Sequence, residues 1–133
     1  MKTTLKIGFA AIIIASTMFS SCGKYEDGPK ISLATKKGRL CRAWTVESFV
    51  DGATKIEVPC TVGCGNTEYL KDGSIMNNGL KVTGFTWQFS SDKKKLEIVF
   101  GSITSSDEII RLTGSELWLR DISSKDETHY KAL

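Results

Sequence analysis

Val82-Thr83-Gly84-Phe85-Thr86-Trp87-Gln88-Phe89-Ser90 decides the fold. From Phe85 onward, apolar and polar residues alternate without a break. Phe85, Trp87 and Phe89 fall on one side of an extended chain, and Thr86, Gln88 and Ser90 on the other. A period of two is the mark of a strand with one buried face. Ser91-Asp92-Lys93-Lys94 then turns the chain. Leu96, Ile98 and Phe100 resume the apolar face against Glu97 and Val99. Two such runs joined by a short polar turn predict an antiparallel hairpin.

The pattern extends in both directions. Trp44, Val46, Ser48 and Val50 alternate with Thr45, Glu47 and Phe49. Asp51-Gly52 follows, a pair that tolerates positive φ and suits a tight turn. Residues 55–58 read as a short return strand ended by Pro59. Residues 68–70 and 74–76 flank the turn Lys71-Asp72-Gly73, and Asn77-Asn78-Gly79 is another turn. Residues 109–112, 117–120 and 128–132 complete the series. Eight or nine short strands with closely spaced turns predict an all-β, antiparallel sandwich or up-and-down barrel. Residues 32–40 are expected to form a short helix with Ser32 as N-cap, two turns at most because of Gly38. The expected core is Trp44, Val46, Phe85, Trp87, Phe89, Leu96, Ile98, Leu117 and Leu119, with Cys41 as a small buried hydrophobe beside Trp44.

The N-terminus reads as an address. Lys2 and Lys6 precede an apolar run over residues 7–19, then Ser20, Ser21 and Cys22. The run is too short for a stable membrane span. A basic start, an apolar stretch and small residues before a cysteine are a bacterial lipoprotein signal. Residues 1–21 are then a signal peptide, and Cys22 is the lipidation site and new N-terminus. Residues 22–31 are a polar lipidated tether, and residues 32–133 are the β-barrel domain. The expected location is the bacterial envelope, at the outer membrane. The chain has 133 residues and a formal charge of +3. Two of its lysines leave with the signal, so the mature chain is near neutral. That gives no electrostatic case for nucleic acid. The basic run Lys36, Lys37, Arg39 and Arg42 reads as a solvated face near the anchor.

With Cys22 assigned to lipid, Cys41, Cys60 and Cys64 remain, an odd number outside the cytoplasm. Cys60 and Cys64 flank Thr61-Val62-Gly63 and are expected to bridge. Pairing Cys41 with either would close a longer loop, worth about 1 kcal/mol more on the entropy account. A metal site from Cys60, Cys64 and His129 would have three ligands and no second cysteine pair, against the usual zinc spacings.

Several segments resemble the small lipocalin-like lipoproteins of the Bacteroidetes. They are the post-cysteine stretch from Cys22 to Pro29, the lead from Lys37 through Trp44 to Val46, and residues 69–74. Residues 84–96, residues 110–119 and the terminal Glu127-Thr128-His129-Tyr130-Lys131-Ala132 follow in the family's order. The resemblance implies a lipocalin-like up-and-down barrel of about eight strands with a short N-terminal helix. In it Trp44 would close the base. Arg42-Ala43-Trp44 keeps the tryptophan of the larger family's Gly-x-Trp and lacks its glycine. Glu26 and Asp27 resemble the acidic export tag of surface lipoproteins in this group, which implies surface exposure.

No catalytic set stands out. There is no Gly-x-Ser-x-Gly, and the only histidine, His129, lies on a strand opposite in facing to Tyr130. The acid pairs Glu26-Asp27, Asp107-Glu108 and Asp126-Glu127 read as turn or tether residues. No cofactor is implied. The aromatic set has two readings, barrel filling or a surface for a flat ligand. Trp118 is expected to face outward beside Arg120, as a contact point for a partner or glycan. Trp44, Trp87, Trp118 and Arg120 are therefore the candidate ligand-binding residues. The chain reads as a monomeric, non-enzymatic module for a small apolar or glycan-like ligand, or for an envelope partner. The rival is a hydrolase-type enzyme built from loop acids and His129.

Overall fold

Nine antiparallel strands close on themselves in the computed structural model, which describes residues 35–133. The signal peptide, Cys22 and the tether over 22–31 lie outside the described residues, as does Ser32. The elements run α1 (Lys36–Leu40), β1 (Ala43–Val50), β2 (Glu57–Pro59), β3 (Asn66–Tyr69), β4 (Ser74–Asn77) and β5 (Leu80–Phe89). They continue with β6 (Lys95–Phe100), β7 (Ile103–Leu112), β8 (Glu116–Asp121) and β9 (Glu127–Ala132). Each strand from β3 to β9 pairs with the next, and β1 pairs with β9 to shut the barrel.

The ninth strand does not widen the barrel. β9 occupies one edge of β1 over nearly its whole length. On the other edge, β3 pairs with residues 43–45 and β2 with residues 48–50. β2 and β3 run the same way and share one place in the wall. The segment between them carries Cys60 and Cys64, whose sulfurs are bonded. The barrel is thus an eight-place wall with one place filled by an interrupted strand.

The turns use one device four times. Asp51, Asp72, Asp92 and Asp121 each accept a hydrogen bond from a backbone N–H two residues on, at 2.7–3.0 Å. A short carboxylate held this way mimics a turn's own hydrogen bond. All four carboxyls are held below their ordinary titration range, chiefly by the Thr54 and Ser124 N–H groups at Asp51 and Asp121 and by the Ser74 and Ser90 hydroxyls at Asp72 and Asp92. Gly84 meets a different demand. The pairing of β5 with β4 slips between Ser74 and Met76, and Gly84 absorbs the slip at φ +84. A Cβ there would sit 3.0 Å from the Phe100 ring.

One end of the barrel is packed solid. Leu40, Trp44, Leu96, Leu112 and Leu117 are wholly or almost wholly buried. α1 covers this end, capped by Thr35, whose hydroxyl accepts from the Gly38 N–H. The helix is shorter than the sequence predicts and its cap is Thr35. Trp44 donates its indole N–H to the Leu40 carbonyl at 2.9 Å, and Arg39 donates to the Leu112 carbonyl at 3.0 Å. Tyr69, Ile75, Ile109 and Leu119 extend the core, with Phe89 and Ile98 packed against it.

Three expectations need correction. Phe85 is 37% exposed rather than core, stacked on Phe100 with ring centroids 4.5 Å apart. Cys41 is only half-buried, although burial still pushes its thiol up against the opposing effect of Lys37 and Lys71. The alternation in β1 also fails at Glu47. Val46 faces Tyr130 on β9, but Ser48 faces His129, the next residue. The extra residue is a bulge, which moves Ser48 and Val50 to the outer face.

Candidate functional site

The open end of the barrel is built from the β1–β2, β4–β5, β6–β7 and β8–β9 connections. Large apolar side chains stand exposed there, among them Phe49, Ile56, Val58, Phe85, Phe100 and Ile103. Phe85, Phe100 and Ile103 are direct cross-strand partners, so they form one inward-facing lip on three strands. Phe49, Ile56 and Val58 line a cavity of about 460 Å³ with Thr128 and Asp126.

Two further cavities are lined from different strands of the barrel. One, about 220 Å³, is lined by Thr67, Tyr69, Ile75, Asn77, Val82, Phe85 and Ile98, and it is mainly apolar. The other, about 280 Å³, is lined by Asp107, Leu119, Asp121, Ser124, Asp126, Thr128 and Tyr130, and it is mainly polar. Asp107 lies in β7, not in a turn as the sequence reading has it. It stands opposite Leu96 on β6 and Asp121 on β8, and Leu96 is core, so Asp107 points inward. Burial and the nearby Asp121 carboxylate push its carboxyl up. Tyr69 and Tyr130 are pushed up as well, by burial first and then by charges that include Asp107. The three groups therefore share one electrostatic neighbourhood inside the barrel.

The outer face carries the second cluster. Ser48, His129, Trp118 and Arg111 are successive cross-strand partners on β1, β9, β8 and β7. Trp118 stacks on His129 with centroids 4.1 Å apart and planes 13° from parallel. The Arg111 guanidinium lies over the Trp118 ring at 5.1 Å. His129 is buried, with Nε2 3.0 Å from Glu127 and Nδ1 3.4 Å from Glu57. Ser48 donates its hydroxyl to Glu57. Arg120 donates to Glu127 at 2.9 Å and lies 3.8 Å from Glu108. Burial works to raise the Glu127 carboxyl, but the hydrogen bonds and charges of His129 and Arg120 outweigh it and hold it low.

The four sequence-derived ligand residues do not share a site. Trp44 closes the packed end. Trp87 is buried and donates its indole N–H to the Leu70 carbonyl at 2.8 Å. Trp118 and Arg120 face outward, as expected from alternation, but are taken up by His129, Arg111 and Glu127. His129 does converge with two acids and a serine, the arrangement an enzyme would need. Yet Trp118 covers its ring, the Ser48 hydroxyl points to Glu57, and none of the three cavities is lined by His129. Among the described residues, no group of three or more His, Cys, Asp or Glu is placed to hold a metal ion. The lumenal carboxylate was missed because Asp107 sits beside Glu108, and adjacent acids on an unassigned strand look like a turn. Counting back by twos from Ile109 would have put it inside.

No family model matches the chain, and no curated protein matches it. Among solved structures, a lipocalin-like protein from Bacteroides uniformis ATCC 8492 is similar. It is 14% identical, with a TM-score of 0.44, covering 72% of this chain and 100% of that one.

Proposed function

We propose that this chain is a non-enzymatic binding module that takes a small apolar or glycan-like molecule through the open end of its barrel. One observation carries the reading. The barrel is packed solid beneath α1, while the opposite end has an apolar lip above cavities of ligand size. Concave, mostly preformed sites of a few hundred Å³ with a few convergent polar groups are where small molecules bind. The signal-like residues 1–22 support a module of the bacterial envelope, tethered to the outer membrane through Cys22.

The mature chain titrated with N-phenyl-1-naphthylamine, a neutral apolar fluorophore, tests the binding reading. Saturable enhancement is expected, reduced at least fivefold in affinity by Phe85→Ser. No saturable binding would sink it. Cys22→Ala tests the address, and its retention in the membrane fraction would argue against lipidation.

A further inference from the structure

We propose that the lumen selects a small organic ammonium ion, with its nitrogen against Asp107 and its apolar body toward Tyr69. The inference rests on the binding reading and names the ligand class.

It starts from an imbalance of charge. The polar cavity is lined by three aspartates and by no lysine or arginine. Asp121 and Asp126 already serve the turns. Asp121 accepts from the Ser123 and Ser124 N–H groups, and Asp126 from the Gly52 N–H. Asp107 does no such work. Among the described residues its carboxylate has no hydrogen-bond or ion-pair partner. Its titration is shaped by burial and by a second carboxylate, with no cation contributing. The basic residues of the neighbouring strands, Arg111, Arg120 and Lys131, occupy the opposite, outer face in register. A carboxylate with no partner, facing a like charge inside a barrel, is costly unless something positive is supplied.

Tyr69 gives an independent sign. It is 6% exposed, and among the described residues its hydroxyl has no hydrogen-bond partner. It lines the apolar cavity and feels the charges of Asp107 and Tyr130. The side chain is buried, yet its hydroxyl is not sealed off, so it faces open cavity space where a ligand or a water can complete it. The inner face of the barrel therefore offers an anionic group, a phenol without a partner and an apolar cavity at that phenol. An ammonium ion with a small apolar body satisfies all three. A sugar hydroxyl would satisfy the phenol but leave the charge uncompensated. A bare divalent ion is not suited, because the aspartates do not converge as a ligand set.

Calorimetric titration of the mature chain at neutral pH decides the matter. The probes are phenethylammonium, its neutral analogue 2-phenylethanol and the anion 3-phenylpropionate. Phenethylammonium should bind at least tenfold more tightly than the alcohol, and the anion most weakly. Asp107→Asn should bring the ammonium and the alcohol level, while Glu47→Gln, an exposed acid outside the lumen, should change nothing. Equal binding of ammonium and alcohol to the unmodified chain would overturn the inference whether or not the variant folds. So would a preference that survives Asp107→Asn. If N-phenyl-1-naphthylamine still binds in those cases, the binding reading stands and only the ligand class falls. If no probe binds, both fall.

Discussion

Replacing Trp44 by Phe should weaken the fold and spare the lumen. Trp44 is fully buried and its indole N–H reaches the Leu40 carbonyl at the end of α1. Phenylalanine keeps one ring, loses the hydrogen bond and gives up about 40 Å² of apolar surface, worth about 1 kcal/mol. The hydrogen bond adds about 1 kcal/mol. The Leu40 carbonyl is not orphaned, because the Arg42 backbone N–H also donates to it at 2.8 Å. The full penalty for a buried unpaired group is therefore not incurred. A residual void contributes about 0.5 kcal/mol more, since the surrounding leucines collapse only in part. The total is about 2.5 kcal/mol, or a fall of ~10–15 °C in Tm for a domain of this size. Urea unfolding followed by circular dichroism measures it. A loss under about 0.5 kcal/mol would show that the base is not packed as described. Loss of N-phenyl-1-naphthylamine binding by a folded variant would return Trp44 to the ligand site.

Asp107→Asn should stabilise the empty protein. The Asp107 carboxyl is raised in the fold, so its contribution is fully present below about pH 4 and is lost as pH rises through the raised value. The variant should then exceed the unmodified chain by about 0.5–1 kcal/mol at pH 7, allowing for solvent screening, and match it near pH 3. Glu127→Gln should do the reverse. The Glu127 carboxyl is lowered, so its stabilisation is present above its unfolded value and lost as pH falls through the folded one. A cost of about 1 kcal/mol at pH 7 should shrink toward zero in acid, read by urea unfolding at both pH values. Gly84→Ala should cost about 1–2 kcal/mol, because alanine at φ +84 is strained and its Cβ presses on Phe100. An unchanged Tm would mean that the chain relaxes there without strain.

The strands were legible because their cues are local. Phe85 to Ser90 and Leu96 to Phe100 alternate cleanly, and Asp72 and Asp92 carry their turns in their own side chains. The closing of the barrel was less so, since β1 meets β9 across the whole domain. The bulge at Glu47 could not be read, because nothing in Val46-Glu47-Ser48 distinguishes an extra residue from a paired one. That slip hid the row of Ser48, His129, Trp118 and Arg111. The inward-facing carboxylate of Asp107 was hidden for a different reason. Aromatic residues attract attention as ligand platforms, yet Trp44 and Trp87 are spent on carbonyls near the packed end. The inward-facing acid among these residues is an aspartate, Asp107, and a single acid has no period of its own.

The interrupted wall has a mechanical consequence. β2 is hydrogen-bonded to β1 over three residues, and among the described residues no second strand holds its other edge. Its release would break one short ladder and leave the β1–β9 seam whole. Segments with few backbone ties open at much lower free energy than the body of a fold. Such a movement would carry Ile56 and Val58 off the rim and take Glu57 from Ser48 and His129. The bond between Cys60 and Cys64 would keep the far end of the flap short, so that it swings from the wall as a hinged panel and does not trail as a loose loop.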